Sequence, residues 1–125
     1  MKIQEKAELM AILGQKKALL AKMLELTQQI KNELQQDRIE SFGEAIKARQ
    51  TLIAQIDALT SSEHGISNGD DIEILGVKKE IRDIIAKTLK LDEENTALAQ
   101  QKLQTYRDQI RHLNQTKKSV GSYTR

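Results

Sequence analysis

From about Asp71 to Lys118 the chain holds the period of one long α-helix. Apolar or packing side chains recur in steps of three and four: Ile81, Ile84, Thr88, Leu91, Asn95, Leu98. The stripe shifts by one position near Lys102 and resumes as Leu103, Tyr106, Ile110, Leu113, Lys117 and Val120. Steps of three and four keep one helical face apolar. Roughly 45 residues of α-helix reach about 65–70 Å at 1.5 Å per residue. No other segment is that long, so part of the stripe is expected to lack a partner within the monomer.

The rest of the chain supports an all-α fold. It contains one Phe, two Tyr, no Trp and no Pro, and 30% of its residues are charged. A mixture rich in Ala, Leu, Glu, Lys and Gln suits long helices. A β protein would want more β-branched, aromatic and turn residues. The expected architecture is a long antiparallel helical hairpin or three-helix bundle with a coiled-coil-like, extended C-terminal helix.

The boundaries follow from local signals. The first helix is expected over residues 3–35, carrying Ile3, Met10, Leu13, Leu20, Met23, Leu24, Ile30 and Leu34 on one side. A break is read at "QQDR", where Asp37 and Glu40 have capping-box spacing; one helix continuous through Leu59 is the competing reading. The second helix is expected over 38–59, with Ile39, Phe42, Ile46, Ile53, Ile56 and Leu59 facing inward. The stretch "TSSEHGISNGDD", Thr60–Asp71, lacks periodicity and reads as a loop, with Asp70 or Asp71 capping the third helix over 71–118. Residues 1–118 thus form a single helical domain, and 119–125 a flexible tail.

Several kinds of chemistry find no support. Without cysteine there is neither a disulfide framework nor a thiolate metal site. His64 and His112 have no second histidine or acid at ligand spacing. "SNGDDIEILGVKKE" lacks the alternating donors and twelfth-position glutamate of an EF-hand, and the glycine upstream of its "GVKK" has the wrong spacing for a phosphate-binding loop. No enzyme activity, cofactor or metal is expected. No apolar run nears the roughly 20 residues that span a bilayer, and acids interrupt "MKIQEKAELMAIL" where a signal peptide would be apolar. A cytoplasmic protein without membrane insertion is expected. The net charge of +2 names no partner. Six basic residues and one acid lie between Lys102 and Arg125, a density too low for a nucleic-acid-reading helix. An unpaired amphipathic stripe instead suits a partner helix.

The layout resembles the flagellar type III export chaperones of the FlgN and FliT kind. "LLAKMLELTQQIKNELQQDRIESFGEAIKARQTLIAQIDAL" resembles their N-terminal helical pair. "LDEEN" at 91–95 is similar to an acidic-Asn element opening the last half of their long helix, and "LAQQKLQTYRDQIRHLNQTKK" to the weakly amphipathic helix that follows. "GSY" at 121–123 is similar to the ending of many members. One departure is a calculated pI of 8.8, where secretion chaperones are often acidic.

The resemblance implies a cytoplasmic chaperone. It would bind the C-terminal amphipathic helices of hook-associated or filament-cap subunits and keep them unpolymerised before export. The cargo stays open between the two. Partner-binding residues are then expected at Leu91, Asn95, Leu98, Leu103, Tyr106, Ile110 and Leu113, with Tyr123 facing the export apparatus. Asn95 has two readings: it fixes the register of the bundle or of a dimer, or it marks where the bundle ends and the cargo surface begins. The alternative function is a self-associating coiled-coil adaptor, a homodimer through the same stripe with no flagellar cargo.

Overall fold

The computed structural model describes residues 2–66 and 71–124, with side chains described through residue 117. Three helices run α1 (Ile3–Gln35), α2 (Ile39–His64) and α3 (Ile72–Thr124).

Cross-helix ion pairs give the helix directions. Lys16 Nζ lies 2.9 Å from Glu63 Oε1, joining the middle of α1 to the end of α2, so these two run antiparallel as a hairpin. Between α1 and α3 the partners rise together: Lys6 with Asp71, Lys17 with Glu80, Lys31 with Glu94. The offset stays at 63 to 65 residues, which makes α1 and α3 parallel. Both α2 and α3 pack along α1 and not backbone to backbone on one another. A bidentate Arg49–Asp92 pair bridges them through side chains.

The α1–α3 seam repeats every seven residues on α3, through Ile74, Ile81, Thr88 and Asn95, all buried. Against it α1 sets Leu9, Leu13, Leu20, Thr27 and Ile30. Leu9, Leu13, Leu20, Ile56, Ile74 and Ile81 form the contiguous apolar core. The lower half of the seam is thus aliphatic, and its upper half mixes Ile30 with Thr27, Thr88, Asn95 and Glu33. Threonine is tolerable there because its hydroxyl donates back to its own helix: Thr27 to the Met23 carbonyl at 2.7 Å, Thr88 to that of Ile84 at 2.9 Å.

Three local expectations are corrected. First, α1 ends where expected but without a capping box. Arg38 N–H donates to the Glu33 carbonyl and Asp37 N–H to that of Leu34, the two bonds of a Schellman motif. Asp37 holds its left-handed position at φ 56°, and its carboxylate serves α3 instead of the α2 backbone. Secondly, α2 runs to His64, beyond Leu59. Thr60 and Ser62 bond back to the Ile56 and Ala58 carbonyls, so this polar run continues the helix, and Glu63 is held by Lys16. Thirdly, helical backbone continues past Lys118 to Thr124. One glycine costs a helix about 1 kcal/mol, which slows it without breaking it. At the start of α3, Asp71 is the cap: its Oδ1 accepts from Glu73 N–H at 2.9 Å and Ile74 N–H at 3.3 Å.

Candidate helix-binding surface

Because α1 and α3 are parallel and unequal in length, α3 outlasts its partner. At the level where α1 turns back, Lys102 Nζ donates to Asp37 Oδ1 at 2.7 Å and Tyr106 Oη–H donates to the same oxygen at 3.2 Å. This latch is the last contact between bundle and helix among the described hydrogen bonds and ion pairs. Beyond Lys102 the remaining residues of α3 project by roughly 30 Å. The Asp37 carboxyl is held below its usual range, chiefly by the Lys102 hydrogen bond.

The expected partner-binding residues fall on two sides of the latch. Leu91 and Leu98 are half-buried within the bundle. Asn95 is only 7% exposed, and its Nδ2 donates to the Thr27 carbonyl at 3.1 Å. At the latch Leu103 is 49% and Tyr106 44% exposed, and beyond it Ile110 is 57% and Leu113 60% exposed. These four share one side of the projecting helix. Tyr123 lies outside the residues whose side chains are described.

At the foot of the projection lies a largely apolar depression of about 270 Å³. Leu34, Ile39 and Phe42 wall it from the α1–α2 turn; Ala99, Leu103 and Tyr106 wall it from α3. Ile39 was expected on the inner face of α2, yet it is 76% exposed at this rim. Its sequence spacing matches that of a core residue, and only its place one residue after the reversal puts it beyond α1's cover. Sequence reasoning missed it as a surface residue for that reason.

Chemically the region offers apolar contact and positive charge. Glu33 and Asp37 line the depression and Asp37 pairs with Lys102, while farther out Arg107, Arg111 and Lys117 stand with one acid, Asp108, whose Oδ1 accepts from Gln104 Nε2 at 3.0 Å. His112 is exposed. Among the described residues no group of three His, Asp or Glu side chains is arranged to hold a metal. No described helix is long and apolar enough to cross a membrane.

The family model "Flagellar protein FliT" matches residues 17–125. That span takes in most of α1, all of α2 and α3, the latch and the projecting stripe. No curated protein and no solved structure matches the chain. The match covers far more than half of the sequence, in a fold that is helical throughout its described elements. The chain therefore belongs to the FliT family of flagellar export chaperones.

Proposed function

We propose that the protein is a cytoplasmic chaperone that holds a C-terminal amphipathic helix of a hook-associated or filament-cap subunit on the projecting part of α3. The observation that carries this reading is the uncovered stripe of Leu103, Tyr106, Ile110 and Leu113, all between 44% and 60% exposed on a helix that its bundle does not cover. Family membership supplies the class of cargo. An amphipathic helix laid on this stripe hides its own apolar face, the face through which flagellar subunits would otherwise pack together. Export requires that the hold be reversible, and the size of the stripe agrees with that. Moving a half-exposed Leu or Ile to full burial contributes about 1 kcal/mol each, from which association and ordering costs are subtracted.

Calorimetric titration of the protein with C-terminal fragments of hook-associated and cap subunits tests this. One-to-one binding to one fragment, with a negative heat-capacity change, is the expected result. Ile110→Asp should weaken it at least tenfold while thermal unfolding of the bundle stays unchanged, because Ile110 lies beyond the latch. Absence of heat with every fragment well above micromolar concentration would overturn the reading.

A further inference from the structure

The bare stripe lies beside the continued α1–α3 seam, whose seven-residue register runs on from Asn95 through Lys102, Gln109 and Thr116. Lys102 and Tyr106 both reach Asp37, the residue that ends α1, so this side of α3 is the side that α1 covers lower down. Leu103 and Ile110 stand one position on from Lys102 and Gln109 of that register, and with Leu113 they form the exposed stripe where α1 has ended. An occupant therefore lies beyond the end of α1, turned toward the depression that Leu103 and Tyr106 share with Ile39 and Phe42. The stretch from Leu103 to Lys117 spans about 21 Å, or four helical turns.

The edges of the stripe differ in charge. Arg107 and Arg111 each follow a stripe residue by one position and stand four apart, so they share one edge. Both are exposed, and neither has an ion-pair partner among the described residues. The other edge starts at Lys102, which is paired with Asp37, and continues with the uncharged Thr105, Gln109 and Thr116, while Lys117 ends the stripe itself. Asp108 lies away from the stripe and is engaged by Gln104.

A second copy of this chain fits the stripe poorly, because it brings another segment with six basic residues and one acid against the first. A nucleic acid would meet the basic edge yet leave three aliphatic side chains wet, and the one ring present, Tyr106, is tied to Asp37 through its hydroxyl.

We propose that the occupant is an acid-flanked amphipathic helix of about four turns, whose apolar stripe covers Leu103, Ile110 and Leu113 and whose carboxylates meet Arg107 and Arg111. Its end nearest the bundle rests on Ile39 and Phe42 in the depression beside the latch. This rests on the helix-binding reading above and names the chemistry of the partner.

The test uses two labelled synthetic helical peptides with one apolar stripe, carrying either glutamates or lysines on the edge that meets the arginines. Each is titrated by fluorescence anisotropy into the full chain and into Arg107→Glu/Arg111→Glu. The glutamate peptide should bind the native chain roughly tenfold tighter at low salt, and the preference should invert in the double variant. Added salt should narrow the difference. Circular dichroism of the variant should be unchanged, since neither arginine holds the bundle together. Equal affinity for both peptides without inversion would overturn the charge assignment and leave the helix-binding reading standing. Binding of neither peptide would overturn both. Sedimentation as a dimer that Ile110→Asp dissociates would make the occupant a second copy. A single-stranded oligonucleotide that displaces the glutamate peptide would make it nucleic acid. Either result overturns the proposal.

Discussion

Asn95 is an amide in the upper seam, 7% exposed, with its Nδ2 bonded to the Thr27 carbonyl and its Oδ1 without a partner among the described residues. A buried acceptor left unpaired costs stability, and an amide on a helical seam lowers stability while fixing register. Asn95→Leu should therefore stabilise the free protein by about 1 kcal/mol, read as a higher midpoint in urea unfolding with an unchanged slope. Asp37 combines two tasks: it takes the left-handed backbone that ends α1, and its carboxylate accepts from Lys102 and Tyr106. Glycine would keep the first task and lose the second, whereas alanine would lose both. Asp37→Ala should accordingly unfold at a lower temperature than Asp37→Gly. The polar break at this point was legible in the sequence. The use of its acid was not, because Lys102 lies 65 residues away and no local pattern connects them.

At the scale of the helices, the long period of α3 was legible because its stripe is regular over many turns. The end of α2 was not. "TSSEH" has loop composition, and what keeps it helical is hydroxyl back-bonding together with the Lys16–Glu63 pair, a tertiary contact. Helical glycines offer a test of how far these helices depend on propensity. At Gly14, Gly43 and Gly76 an added Cβ would meet nothing within 4 Å, and all three have negative φ. Alanine at Gly43 or Gly76 should stabilise the protein by about 0.5–1 kcal/mol each, measured by thermal or urea unfolding.

Two ion pairs tie α3 to α1 at opposite ends of their contact, Lys6–Asp71 at the start and Lys102–Asp37 at the latch. Both aspartates are held below their usual range, each mainly by the lysine hydrogen bond. A lowered carboxyl pKa gives stability that is fully present above the unfolded value and is lost as pH falls through the folded one. The Lys6 ammonium is raised, chiefly by Asp71, so its share is present below the unfolded lysine value and is lost as pH rises through the folded one. Stability should thus be flat around neutrality, falling in acid below the usual carboxylate range and again in strong base. Asp37→Asn should reduce the acid-side fall, as followed by circular dichroism across pH.

Over the whole molecule, the bundle is most aliphatic at its base and most polar toward the candidate surface. Aliphatic layers around Leu9, Leu13 and Ile74 give way upward to Thr27, Thr88 and Asn95, and beyond the latch α3 has no described cover. The division of the stripe into a bundle part and a free part follows from where α1 stops. The sequence indicated that α3 was too long to be covered and offered a bundle role for Asn95 as one of two readings, but not that Leu91 and Leu98 belong to the covered half. That needed the parallel offset between α1 and α3, which no single helix encodes. Cargo is proposed to sit on the uncovered half. Amide chemical-shift mapping of the protein with a bound C-terminal subunit fragment tests it most directly. Large shifts are expected from Lys102 to Lys117 and around Ile39 and Phe42, with the base of the bundle silent. Shifts confined to the outer face of the α1–α2 hairpin, around Leu19 and Leu59, with 102–117 unmoved, would contradict it.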